Sequence, residues 1–191
     1  MLDRKGVVVT STHPSAVGRY FGNKPYLTEQ QRAVADRLYL GGLLDGQLSN
    51  REVVAFSRRL LAPDGKFGGI VVVSVLPSFF TQHYAEPILG EYGFVALVRN
   101  DGRVLASRSG SRVHSYGAPF LLAPLPIDRP AGVARFEGRR WFADGRARVV
   151  DWRPFPDLGL IGIVGVDEYS ALAAYRVHRH AALAGAWWNT A

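Results

Sequence analysis

Apolar and polar positions alternate through most of the chain, and the alternation breaks at short intervals on Asp-Gly or a lone glycine. Three stretches carry the pattern most clearly: "FSRRLLAPDGKFGGIVVVSV" (56–75), "GFVALVRNDGRVLASRS" (93–109) and "WFADGRARVVDWRPF" (141–155). A fourth, "LDRKGVVVTST" (2–12), keeps the glycine without the aspartate. Glycine adopts the positive φ of a tight hairpin turn without strain and Asp tolerates its neighbourhood, so these stretches predict antiparallel hairpins. "GLIGIVGV", Gly159 to Val166, is apolar without interruption and reads as a strand buried on both faces.

Helical spacing appears between the hairpins. In "YLTEQQRAVADRL" Thr28 stands as the N-cap, Gln31 occupies the capping-box position, and Ala33, Val34 and Leu38 supply apolar positions. "LPSFFTQHYAEPIL" predicts a short helix that ends before Pro87. "DEYSALAAYRVHRHAALAGAWW" predicts a long one, capped by Asp167 and carrying Leu172, Arg179 and Leu183 at helical spacing. Strands joined by short turns, with few helices among them, make an α+β chain rather than a doubly wound parallel sheet. The pattern restarts after "YAEPILG", which divides the sequence into 1–86 and 87–191. Residues 109–134, rich in Gly, Pro and Ser, read as a long surface excursion.

Arg58 and Arg59 interrupt the strand pattern. Successive strand side chains point to opposite faces, so one arginine shares the side of Phe56 and Leu60 and the other that of Ser57 and Leu61. An unpaired buried cation costs several kcal/mol. One of the two is therefore expected to snorkel to water and the other to tie a loop or carboxylate to the sheet.

Composition adds a net charge of +7, from 23 basic and 16 acidic residues, with Lys5, Lys24 and Lys66 the only lysines. Phosphate neutralisation needs clustered cations, whereas the densest groups here are pairs such as Arg139 with Arg140 and Arg146 with Arg148. An arginine-biased solvated surface is expected, and no nucleic-acid partner. Without cysteine there is neither a disulfide nor a thiolate metal site. No apolar run reaches the ~18 residues a membrane helix requires, and no signal-peptide pattern opens the chain. It begins almost inside a strand pattern and finishes with Trp187 and Trp188, the ends expected of a soluble piece cut from a longer chain.

Catalytic constellations are missing. There is no Gly-x-Ser-x-Gly, and the carboxylates fall at turns and helix starts, where capping accounts for them. His178 and His180 would lie about 200° apart around a helix and cannot share a metal. "GKFGG" and "GGLLDG" do not join a parallel strand to a helix N-terminus as a phosphate loop does. Neither an enzyme nor a metal or other cofactor is expected.

The segments "LDRKGVVVTST", "GRYFGNKPYL" and "LYLGGLLDGQLSNREVVAFSRRLLAPDGKFGGIVVVSVLPSFFTQHY" together resemble the membrane-distal module of double Cache domains. These are the PAS-like extracytoplasmic sensors of bacterial diguanylate cyclases, histidine kinases and chemoreceptors. "GEYGFVALVRNDGRVLASR" and "DGRARVVDWRPFPDLGLIGIVGVDEYSALAAYR" look like the membrane-proximal module and its exit helix. The resemblance implies two tandem modules with central antiparallel sheets and a long C-terminal helix, without the family's long leading helix. It also implies a periplasmic location on the outer face of the inner membrane, a small-molecule ligand bound in the distal module, and the possibility of a homodimer.

The family's pocket motif, Asp-Arg-x-Tyr-Phe, falls on Asn23, Lys24, Pro25, Tyr26 and Leu27, of which Tyr26 matches and Lys24 keeps the charge without the planar fork that grips a carboxylate. Tyr20, Lys24, Tyr26, Tyr39 and Arg58 are the ligand-contact candidates carried by the resemblance. The alternative is a structural or dimerisation module with a vestigial pocket and protein partners.

Overall fold

The computed structural model describes residues 1–46, 51–84, 89–114, 118, 120–124 and 131–173. A four-stranded sheet holds β1 (Leu2–Asp3), β2 (Tyr39–Gly46), β3 (Arg51–Leu61) and β4 (Phe67–Val75) in the order β1-β4-β3-β2. A six-stranded sheet holds β5 (Phe94–Arg99), β6 (Val104–Ser109), β7 (Arg112–His114), β8 (Gly132–Phe136), β9 (Arg148–Phe155) and β10 (Leu160–Asp167) in the order β7-β6-β5-β10-β9-β8. Every paired strand is antiparallel. The described α-helices are α1 (Pro25–Arg32) and α2 (Glu168–Ala171), so the mixed class expected from the sequence takes the form of two antiparallel sheets with little helix.

Two of the Asp-Gly stretches fold as hairpins. β3 turns into β4 through Gly65 at φ +77°, where the Ala62 amide donates to the Lys66 carbonyl at 2.8 Å. β5 turns into β6 through Gly102 at φ +83°, with the Asp101 carboxylate accepting from the Arg103 amide at 3.2 Å. The third behaves differently. Asp144 and Gly145 close a compact turn ahead of β9, in which the Gly138 amide donates to the Gly145 carbonyl at 3.2 Å. Phe142 is fully buried there, and that anchor stops 141–143 from extending as a strand. The late apolar strand β10 lies between β5 and β9, with Leu160, Ile163 and Gly165 buried.

The helix expectations need correction at their ends. α1 starts at Pro25, three residues before Thr28; Lys24 is its extended N-cap, at ψ 140°, without a side-chain cap bond. Proline at the first helical position has the right fixed φ and no amide to leave unsatisfied. The helix stops at Ala33, so Val34 and Leu38 are exposed and Leu27 and Gln30 are the buried residues of α1. The expected short helix after β4 is a single 3-10 turn, Pro77–Phe80, held down by Phe80 against Phe56 at 6.1 Å between ring centroids. Asp167 does cap α2, accepting from the Ser170 amide at 2.9 Å and the Ser170 hydroxyl at 2.7 Å. The rest of the expected long helix, Trp187 and Trp188 included, and most of the loop before β8 lie outside the described residues. Among the described residues no helix is long and apolar enough to cross a membrane.

Strand alternation sets which side of the first sheet does what. Val53, Ala55, Ser57 and Arg59 point to one face with Ile70, Val72 and Ser74 of β4. That face meets α1 and the segment after β1, giving a core of Leu2, Val8, Ala16, Phe21, Leu27 and Ile70. The other face contributes Leu40 and Val54 to a core shared with Leu105 and Leu160 of the second sheet. Phe94, Phe142 and Trp152 lead a third core on the second sheet. Each large apolar side chain so buried contributes roughly 1.5–3 kcal/mol.

Candidate functional site

A cavity of about 670 Å³ opens between the first face of the four-stranded sheet and the segment that crosses it. Its floor is Leu44 on β2, Val53 and Ala55 on β3, and Val72 and Ser74 on β4. The volume falls in the range of small-ligand pockets, ~300–1,000 Å³. Its cover runs from Val8 to Tyr26 and is closed on itself: the Val8 amide donates to Arg19 at 3.0 Å, Gly18 to Val8 at 2.9 Å, and Phe21 to Gly6 at 2.8 Å. At its tip the His13 amide donates to the Ser11 hydroxyl at 3.0 Å, which turns Thr10, Ser11 and Thr12 along the rim.

Lys24 and Tyr26 line this cavity because the start of α1 is held over the sheet. The Ser57 hydroxyl donates to the Tyr26 carbonyl at 2.8 Å, and fully buried Gln30 donates to the Ser57 carbonyl at 2.7 Å and the Arg37 carbonyl at 2.9 Å. Burial pushes the Tyr26 phenol up to about 12, so it stays a neutral donor and acceptor at physiological pH. Half-buried Lys24 forms no salt bridge among the described residues.

The other candidates stand elsewhere. Tyr20 is two-thirds exposed and folds over Gly22 on the outside of the cover. Tyr39 opens β2 opposite Ser57, on the side where Arg99 donates to the Leu40 carbonyl at 2.9 Å, a link from the second sheet to the first. Desolvation raises its phenol, with Arg99 acting against that. Arg58 is exposed and forks onto Asp36: Nε lies 3.0 Å from both carboxylate oxygens and a terminal nitrogen 2.6 Å from Oδ2. Arg59 shares the cavity-side face of β3 but donates to the Ala33 and Val34 carbonyls at the end of α1 and lies over the Phe67 ring at 5.9 Å. A cation among the orphan carbonyls of a helix end is favourable there. Both arginines thus serve the 33–36 segment.

Sequence reading passed over Arg51 and His13, which also line the cavity. Parity was the available signal for Arg51: it stands two and four residues before Val53 and Ala55, on the same side of β3. Among the described residues that line the cavity there is no Asp or Glu. A smaller cavity, about 350 Å³, lies on the second sheet between Thr81, Tyr84, Leu97 and Phe155, with Asp151 and Arg153 paired at 3.7 Å on its wall. Among the described residues there is no cluster of three or more His, Asp or Glu able to hold a metal.

No family model and no curated protein matches the chain. Solved structures do. The extracellular domain of a protein assigned as the histidine kinase rpHK1S-Z16 aligns over 90% of this chain and 70% of its own at 22% identity, with a TM-score of 0.68. The sensor domain of the V. cholerae histidine kinase DctB aligns over 87% and 70% at 17% identity, TM-score 0.52. The ligand-binding domain of the Pseudomonas fluorescens chemoreceptor CtaA, in complex with L-isoleucine, aligns over 91% and 69% at 14% identity, TM-score 0.59. The chain therefore has the fold of extracellular sensor domains from histidine kinases and chemoreceptors, antiparallel sheets with few helices among the described residues.

Proposed function

We propose that this chain is the extracytoplasmic signal-input domain of a bacterial transmembrane receptor, that it binds a small molecule in the cavity over the first sheet, and that it performs no catalysis. The observation that carries the reading is the cavity itself: a largely apolar floor, Leu44, Val53, Ala55 and Val72 with Ser74, under a self-closed cover that brings Lys24 and Tyr26 to it. A vestigial pocket filled by its own side chains would leave no such space, which is why ligand sensing is preferred to a purely structural or dimerisation role.

In this reading 1–86 and 87–191 are two tandem PAS-like modules, Lys24 and Tyr26 contact the ligand, and the helix that begins at Asp167 leads back toward the membrane. Its start is well tied for that task. Arg135 of β8 donates to Glu168 at 2.8 Å, and Arg146 reaches buried Asp167 at 3.4 Å. The Arg99 link to Leu40 joins the two sheets, and Arg108, donating to the Thr81 carbonyl at 3.3 Å, ties the second sheet to the segment that follows β4, so a rearrangement of the first sheet has direct contacts through which to reach the second. A ligand shifts such an arrangement only by its differential affinity for two states.

Thermal-shift screening of small metabolites, followed by calorimetry, tests the proposal. Hits are expected, and Ser74→Trp, which fills the cavity from its exposed edge, is expected to remove them without lowering the melting temperature of the free chain. Hits that persist in Ser74→Trp, or a broad screen without any hit, would overturn it.

A further inference from the structure

We infer that the connection between β8 and β9 is a membrane-contact tip, in which Arg139 and Arg140 receive the phosphates of anionic phospholipid headgroups while Leu122 and Trp141 enter the bilayer interface beside them. The inference rests on the reading of the chain as the outer domain of a membrane receptor, and it names the surface by which that domain touches its own bilayer.

The two ends of the second sheet differ in their neighbours. Leu160, where β10 begins, packs with Leu40 and Val54 of the first sheet, and Arg99, where β5 ends, donates to the Leu40 carbonyl at 2.9 Å. β10 runs from that contact to Asp167, which stands opposite Arg148, the first residue of β9; Arg148 in turn stands opposite Phe136, the last residue of β8. The connection 137–147 therefore lies at the end remote from the first sheet. The Glu168 amide donates to the Ala147 carbonyl at 3.0 Å, so α2 leaves from the same end. A chain that continues from α2 to a bilayer brings this connection down to the lipid surface.

Ion pairing at that end leaves two cations unmatched. Arg135 takes Glu137 at 2.7 Å and Glu168 at 2.8 Å, Arg146 takes Asp167 at 3.4 Å, and Arg148 takes Asp144 at 2.6 Å. Arg139 and Arg140 are exposed and form no ion pair among the described residues. The Arg140 guanidinium lies over the Trp141 ring at 4.7 Å, which orients it without neutralising it. A guanidinium fork matches two phosphate oxygens at once, and both arginines have their forks available for that.

Apolar groups stand beside them. Leu121 bridges to fully buried Phe142, and the Leu122 amide donates to the Trp141 carbonyl at 2.8 Å, which clips 120–122 against the connection. Leu121 packs inward against the third core, so alternation turns Leu122 outward, where it is 57% exposed. Trp141 meets Phe136 edge-on at 5.5 Å and keeps part of its ring at the surface. An exposed leucine, an amphipathic indole and two unpaired arginines on one tip suit the headgroup level of a bilayer, where apolar groups enter the acyl boundary and cations meet phosphate. Free phosphate or a nucleic-acid backbone would use the arginines and leave Leu122 in water.

Co-sedimentation of the chain with vesicles of mixed phosphatidylglycerol and phosphatidylcholine, at millimolar lipid, tests this, with pure phosphatidylcholine as the neutral arm. Binding is expected to the anionic vesicles and to be about tenfold weaker or more on the neutral ones. Arg139→Gln combined with Arg140→Gln is expected to weaken it about ten- to thirtyfold, the share of two cations at an anionic surface, with an unchanged melting temperature. Arg4→Gln combined with Lys5→Gln removes the same charge from exposed positions at the β1 turn and should stay within about twofold of wild type. The chain has no cysteine, so Leu122→Cys takes a single polarity-sensitive dye, whose emission should move to the blue on anionic vesicles. The same dye on Val34→Cys, fully exposed on the segment after α1, should not shift.

No binding, equal binding to neutral vesicles, an equal loss from the Arg4 and Lys5 pair, or a dye shift at position 34 in place of 122 would each overturn the inference. So would displacement by inorganic phosphate at matched ionic strength, or nucleic-acid binding that depends on the same two arginines. These readouts do not involve the cavity. Metabolite hits that accompany failed vesicle binding remove the membrane contact alone, whereas vesicle binding at Leu122 in a chain without metabolite hits removes the ligand site and leaves the contact.

Discussion

Arg148 and Asp144 form a two-pronged pair in front of β9: the terminal guanidinium nitrogens lie 2.8 Å from Oδ1 and 2.6 Å from Oδ2. The arginine is almost entirely buried, with 4% of its side chain exposed, and its Nε donates to the Tyr92 carbonyl at 2.8 Å while its guanidinium covers the Phe142 ring at 4.4 Å. Arg148, the first residue of β9, thereby fixes the compact turn at Asp144 and the loop ahead of β5 to one another. The cation is tolerated beside the core of the second sheet because each of its three guanidinium nitrogens donates a hydrogen bond.

Replacing Asp144 with Ala leaves that cation without its counter-charge. Breaking a fully buried pair costs about 3–5 kcal/mol, but the Asp144 side chain is 38% exposed, so water replaces part of the loss and about 2 kcal/mol is expected. Urea denaturation of the wild type and of Asp144→Ala measures it. The double variant with Arg148→Met, which removes the stranded charge and keeps much of the apolar stem, should recover part of the loss.

The same pair sets an acid limit. The hydrogen bonds from Arg148 hold the Asp144 carboxyl below its ordinary 3.8, against the opposing effect of burial. A group whose folded value is depressed stabilises fully above its unfolded value and loses that contribution as pH falls through the folded one. The stability gap between wild type and Asp144→Asn is therefore expected to be constant at neutral pH and to close below about pH 4. Denaturant midpoints measured from pH 7 downward check this; a gap that widens on acidification would contradict it.

Tyr26 should be the late-titrating tyrosine. With its phenol pushed to about 12 by burial, the folded chain keeps it neutral while the unfolded chain ionises it near 10. The unfolded state then binds fewer protons, so stability falls as pH rises from about 10 to 12. Alkaline absorbance titration should show a component that ionises after the exposed tyrosines and disappears in Tyr26→Phe.

Gly165 and Phe94 are register partners on β10 and β5, and the glycine supplies the room that the phenylalanine ring fills. A methyl at Gly165 would run into the ring, so Gly165→Ala is expected to destabilise by about 1–3 kcal/mol through overpacking. Gly42→Ala, where a methyl meets open space, is the control and should stay within about 0.5 kcal/mol of wild type. Thermal melts of the two variants side by side give the comparison.

Legibility followed the range of the interactions. The β3–β4 and β5–β6 hairpins could be read because alternation and an Asp-Gly turn are local properties of a dozen residues. Asp167 as the cap of α2 was legible for the same reason. The Asp-Gly at 144–145 looked identical in sequence, yet burial of Phe142 and the demand of Arg148 turned it to another purpose. Thr28 had the right spacing for an N-cap, but Pro25 starts the helix earlier and Ser57 and Gln30 hold it there. Of the expected ligand contacts, Lys24 and Tyr26 line the cavity while Tyr20, Tyr39 and Arg58 do not; Arg51 carried a parity signal that was not read.

By itself the sequence determined the antiparallel hairpins, the mixed class and the family resemblance, since these follow from side-chain alternation, turn chemistry and composition, which act between neighbours. Only the tertiary structure decided which face of β3 carries a cavity and what Arg58 and Arg59 do. β2 pairs with β3 no further than Tyr39 opposite Ser57, so the last residues of β3 lie beyond the end of β2 and the 33–36 segment comes within reach of both arginines. An arginine on either face can then bind that one segment, an outcome set by where a neighbouring strand stops and not by the alternation of the strand that carries them.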